Sequence, residues 1–259
     1  MMRHLNISIL LLAGAVVFLP LSTARAQSPK LEHQEHHLEP HPLAPDNFNG
    51  GFITLDQGLW EALSDKPQDE FENALDAFAA GKSHEMAGDI YSAAAVTRLA
   101  AGRALPEPKK RLVASLFELK DLAERAEKGK ITDKDQIDQP FGRTLAALSQ
   151  YYAARAEREW TRNKVGDAGK SLSQGVKDLE HAFTWAGYHP SADESTVVET
   201  ARTTATRLAT TKDYDKSQVN DALAAFAGLV RDYSDSIWQG VPDLTPPEAK
   251  TPAGKTKQS

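Results

Sequence analysis

Apolar side chains recur at helical intervals over most of this chain. Val219, Leu223, Phe226, Val230, Tyr233 and Ile237 follow one another at alternating steps of four and three, which places all six on one stripe of a helix. Leu112, Leu116, Leu119, Ala123 and Ala126 form a second stripe, and Leu172, Val176, Leu179 and Phe183 a third. A fourth runs through Ile137, Phe141, Leu145, Leu148 and Tyr152, with Pro140 expected to kink that helix or mark its first turn. No alternating β-branched run is long enough to predict a sheet.

Punctuation agrees with the stripes. Gly81, Gly129 and Gly187 stand where stripes stop, as expected of left-handed C-cap positions that a Cβ disfavours. The run Ser191 to Glu194 is a capping-box pattern ahead of a helix carrying Val197, Ala201 and Leu208, and Thr54 to Gln57 predicts a short helix ending near Leu63.

The pattern also repeats. The stretch Gly81 to Gly88 and its following helix align with Asn163 to Gly169 and theirs, and Asp133 to Ile137 aligns with Asp215 to Val219, at offsets of 81 and 82. A third Asp-Lys-x-Gln, at Asp65 to Gln68, opens the first unit. The expected fold is therefore all-α, with six to seven antiparallel helices. Duplicated three-helix units at about 65–130 and 133–212 and a closing helix at 215–238 form a bundle or a short solenoid. Alanine runs at Ala93 to Ala95 and Ala222 to Ala225 allow neighbouring axes to approach closely. The stretch Ala79 to Ala93 resembles the helix-turn-helix grammar of tetratricopeptide-like repeats. Its period differs from the roughly 34 residues of that family, and the Trp, Leu-Gly and Pro positions are not filled in order, so the resemblance assigns no family.

The two ends read differently. Residues 1–26 have the form of a secretory signal: Arg3 in a positive n-region, an apolar run from Ile7 to Leu21, and Ala24-Arg25-Ala26 as a small-x-small cleavage pattern. The expected mature chain starts near Gln27 and is periplasmic or secreted, with no stable membrane insertion after cleavage. Residues 27–51, with Pro29, Pro40, Pro42 and Pro45, read as a disordered His/Pro-rich arm, and 241–259 as a disordered Pro/Lys tail. The helical domain is expected over 52–240.

Loss of Arg3 and Arg25 takes Lys+Arg from 30 to 28 against 36 Asp+Glu, so the formal charge moves from -6 to -8. That field argues against nucleic acid as a partner. The chain has no cysteine, which excludes disulfides, thiolate metal sites, covalent CxxCH haem and a lipidated N-terminal cysteine.

Candidate chemistry is sparse. His33, His36, His37 and His41 sit close together among Glu32, Glu35 and Glu39 and are competent ligands for Cu(II), Ni(II) or Zn(II), or else form a solvated linker. Of the remaining histidines, His84 is expected in a first helical turn facing solvent, His181 near a helix C-terminus, and His189 in a turn before Pro190. A di-iron bundle requires two Glu-x-x-His pairs, and Asp178 to His181 is a single partial match. No nucleophile elbow, phosphate loop, zinc-protease motif or dinucleotide fingerprint is present. Glu157, Glu159, Asp167, Asp178 and Glu180 alternate with Arg155, Arg158, Lys164 and Lys177, the pattern of a solvated helix face. Tyr151, Tyr152, Trp160, Phe183, Trp185 and Tyr188 flank the turn at Asn163 to Gly166, as core or as the lining of an apolar groove.

These observations predict an exported, non-catalytic helical binding or scaffold protein, without a cofactor, whose partner is a protein or a small apolar ligand. The alternative is a periplasmic metal-handling protein that uses the histidine cluster.

Overall fold

Periodic apolar stripes demand helices that pack on one another, and the computed structural model, which describes residues 63–211 and 213–241, is helical throughout. Among the described residues there are seven helices and no strand: α1 (Lys66–Ala79), α2 (Ser83–Arg103), α3 (Pro106–Glu127), α4 (Asp135–Thr161), α5 (Val165–Trp185), α6 (Ala192–Thr210) and α7 (Lys216–Ile237). Short connections lay each helix against the one before it, the up-and-down arrangement of a bundle. The chain then returns, with α7 packing on α4, so that α4, α5, α6 and α7 close a ring rather than an open solenoid.

The hub is α4. It packs on α3, α5 and α7 and also touches α1 and α2. Its predicted stripe of Ile137, Phe141, Leu145, Leu148 and Tyr152 is buried, and so are Ala146, Ala147, Ala153 and Ala156 on its other faces. A helix buried all round is core from every side. Pro140 lies within the second turn and does not stop the helix. Thr144 donates its hydroxyl to the Pro140 carbonyl at 2.9 Å, keeping a buried polar side chain satisfied.

The turns follow their sequence signals. Gly81, Gly129 and Gly187 have φ of 70°, 63° and 61°, and Asn163 takes the same left-handed conformation at 57°. Gly81 and Asn163 end α1 and α4 with one hydrogen-bond pattern: Lys82 N–H donates to Ala77 O at 2.8 Å, and Lys164 N–H to Glu159 O at 2.9 Å. The helices that follow are used differently. A Cβ at Gly88 would meet open space, whereas one at Gly169 would lie 2.8 Å from Ala205 O and Ala209 N. The Ser191–Glu194 box forms as read, and Asp215 accepts from Ser217 N and Gln218 N. Asp65 is the N-cap of α1 without a side-chain bond, and Asp133, one residue before the Lys134 N-cap of α4, accepts only from Asp135 N at 3.0 Å. Gln68 instead accepts from Trp185 Nε1 at 2.9 Å.

Gly169 marks where α5 touches the backbone of α6, and this contact sets a test. Gly169→Ala is expected to cost about 1–2 kcal/mol, the strain of overpacking exceeding the gain in helix propensity. Gly228→Ala in α7, whose added Cβ would come no nearer than 4.0 Å to the Arg231 guanidinium, is expected to stabilise by up to about 1 kcal/mol. Denaturant midpoints of the two variants should move in opposite directions. A shift of the same sign in both would remove the close approach from the account.

Candidate functional site

Three features of the C-terminal ring have chemical content: an apolar trough, a cationic cleft and a buried carboxyl.

The trough lies between α6 and α7 and encloses about 550 Å³. Val197, Thr200 and Thr204 of α6 face Val219, Ala222 and Ala225 of α7 across it, with Glu199, Arg207 and Asp221 among the lining residues. Threonine is polar by composition, but two of the lining threonines spend their hydroxyls on backbone carbonyls. Thr196 Oγ1 donates to Ala192 O and Thr200 Oγ1 to Thr196 O, both at 2.8 Å, so those hydroxyls are engaged with their own helix.

The cleft encloses about 160 Å³ where α2 ends, α4 ends and α5 begins. At its base Arg155 Nε donates to Glu159 Oε1 at 2.7 Å, and Ser171 of α5 donates to Glu159 Oε2 at 2.6 Å. Arg155 and Glu159 are 8 % and 7 % exposed, so this is an interior ion pair. Burial works against the Arg155 charge, but the bond to Glu159 and the Tyr151 hydroxyl outweigh it and move the guanidinium's pKa upward.

These positions correct the expectation of a solvated charged face. Glu157, Glu180, Lys164 and Lys177 are exposed, but Arg155, Glu159 and Asp178 are buried. The reason is topological: α4 and α5 are covered by neighbouring helices, so their polar side chains turn inward and must find partners there.

Asp178 is the third feature. It is 2 % exposed; Gln174 Nε2 donates to its Oδ1 at 3.1 Å, and Oδ2 meets no donor among the described residues. Burial pushes the carboxyl well above its ordinary 3.8; the Gln174 bond and Lys177 oppose that shift, and nearby Asp65 adds to it. A raised folded-state pKa means that the native protein holds a proton which the unfolded chain releases. Stability from this group is therefore full at pH below 3.8 and is lost as pH rises toward the folded value. Asp178→Asn removes that titration. Its advantage over the parent in thermal unfolding should be smallest near pH 4 and should grow toward pH 7, by at most about 1.4 kcal/mol per pH unit. A difference that does not change with pH would contradict this assignment.

The aromatic residues are core. Phe141 stacks on Phe71 with centroids 3.9 Å apart, Trp185 packs edge-on to Phe141 at 5.2 Å, and Phe183 meets Tyr233 at 4.7 Å. Trp160 pairs separately with Tyr214 at 5.4 Å, so the six do not line one groove. His84 is exposed in the first turn of α2, His189 is exposed in the turn after α5, and His181 is half-buried. His33, His36, His37 and His41 lie outside the described residues, as do the arm, the tail and nearly all of the short helix expected after Thr54. Among the described residues no group of three or more His, Asp or Glu side chains is placed to hold a metal ion, and no helix is long and apolar enough to cross a membrane.

Neither a family model, nor a curated protein, nor a solved structure matches the chain.

Proposed function

We propose that this is an exported, non-catalytic binding protein whose working surface is the trough between α6 and α7, and whose occupant is an amphipathic helix of a protein partner. The observation behind this reading is the trough itself: a wall of valine and threonine facing a wall of valine and alanine, about 550 Å³ in volume and open to solvent. A small apolar ligand needs enclosure to lose most of its surface to the protein. Two walls flanking an open trough suit the i, i+3, i+4 stripe of a third helix. Glu199 is held by Arg202, and Arg207 on α6 offsets Asp221 on α7, so the occupant is selected by its apolar stripe rather than by its charge.

Export rests on Arg3, the Ile7 to Leu21 run and the Ala24 to Ala26 cleavage pattern. The matched offsets of 81 and 82 support descent of the two halves from one three-helix unit.

Photocross-linking in the cells of origin tests the reading, with benzoylphenylalanine at Ala225 in the trough and, as control, at Lys110, which is exposed on α3. A protein adduct should form from Ala225 alone, map to an amphipathic helix, and disappear in Thr200→Arg. An adduct of lipid or metabolite mass, or a protein adduct that survives Thr200→Arg, would refute it.

A further inference from the structure

The cationic cleft is distinct in chemistry from the trough and stands independently of it. Arg103, Arg155, Arg158, Arg162 and Lys164 line it against only Glu159 and Asp167, a local excess of positive charge on a chain of formal charge -6. The excess has a geometric origin. Arg155, Arg158 and Arg162 are spaced three and four apart through the last turns and C-cap of α4, which stacks them on one face, and the last turn of α2 and the N-cap of α5 add Arg103 and Lys164. One carboxylate is already committed, because Glu159 holds Arg155 and accepts from Ser171. Arg158 is half-buried, and its Nε is shielded from solvent and meets no acceptor among the described residues. A buried donor left without an acceptor is costly, and a bound oxyanion would supply one.

We infer that this cleft is a binding site for a phosphate group, carried by inorganic phosphate or a phosphomonoester, with Arg158 and Arg162 as its principal ligands. Guanidinium forks match the paired oxygens of such a group, and a recessed cleft focuses their field in a way that scattered surface lysines do not. At about 160 Å³ the cleft has room for one such group and its bridging waters, and not for a folded partner.

The test is titration of the full chain with inorganic phosphate at fixed ionic strength, with chloride as the reference and succinate as a competing dianion. It is read by calorimetry and by the Arg Nε–Hε resonances. Vesicles containing phosphatidic acid form a further arm, to separate a lipid headgroup from a soluble source. Saturable one-to-one binding of phosphate is expected, with a displaced Arg158 Nε–Hε signal and at least about a tenfold weakening in Arg158→Gln/Arg162→Gln. Arg162 is exposed and Arg158 half-buried, so that variant should unfold near the parental temperature, which is checked alongside. Binding confined to the vesicles, with the same loss in the variant, assigns the phosphate group to a lipid. Equal or tighter binding of succinate, binding unchanged by the double substitution, or no saturable binding of either phosphate source overturns the inference.

Discussion

Phe141→Ala is expected to destabilise the protein by about 4 kcal/mol, near the top of the range for a single core truncation. The ring is 0 % exposed and joins three helices: it stacks on Phe71 of α1 and meets the edge of Trp185 of α5 while belonging to α4. Truncation removes the transfer energy of a buried ring, and its neighbours cannot collapse into the space. Trp185 is pinned by its bond to Gln68, and the adjacent Gly142 already holds α4 within van der Waals reach of Ala182 and Ala186 on α5. The cavity therefore persists, and cavity volume is what carries such substitutions past the simple burial term. Phe141→Leu, which refills most of the volume, should cost less than half as much. Urea unfolding of the two variants measures this. A loss below about 2 kcal/mol for the alanine variant would mean that α1 does not seal the ring as described.

Arg155→Met should cost about 3 kcal/mol at neutral pH, because it strands Glu159 as a buried carboxylate supported by Ser171 and by the looser cations of the cleft. The companion Arg155→Met/Glu159→Leu should recover most of that loss, since a buried ion pair replaced by apolar side chains of similar size is close to neutral. The contrast between single and double variants separates this pair from the exposed ones. Arg125–Asp121, with side chains 36 % and 60 % exposed, should change stability by a few tenths of a kcal/mol when broken. Additive losses at Arg155 and Glu159 would place the pair in solvent and return α4 to the solvated face that its alternating charges suggest.

What could be read from the sequence followed from how loudly each residue type speaks. Leucine, valine and phenylalanine at steps of three and four located the helices, and glycine at their ends located the left-handed turns. The full burial of α4 was not legible, because its other faces are built from Ala146, Ala147, Ser149 and Ala153, which carry little hydropathic contrast. From that miss came the error over Arg155, Glu159 and Asp178: a charged residue on a helix reads as solvated unless the helix is known to be surrounded. Asn163 hid a glycine's role, and of the three Asp-x-x-Gln patterns only the one at Asp215 holds its helix's first N–H groups from the N-cap position. The trough was silent because one of its walls carries threonines, which read as polar although the hydroxyls of Thr196 and Thr200 are engaged with their own helix. The cationic cleft was silent for a different reason, since Arg103 reaches it from a helix distant in sequence.

A partner helix seated in the trough would shield the facing walls of α6 and α7 from solvent. Hydrogen exchange of the full chain, with and without the cross-linked segment supplied as a synthetic peptide, tests it most directly. Slowed amide exchange is expected in α6 and α7, concentrated around Thr200, Thr204, Ala222 and Ala225, with loss of that slowing in Thr200→Arg. Protection centred elsewhere, at the Arg158 cleft for example, or none at all, would contradict it.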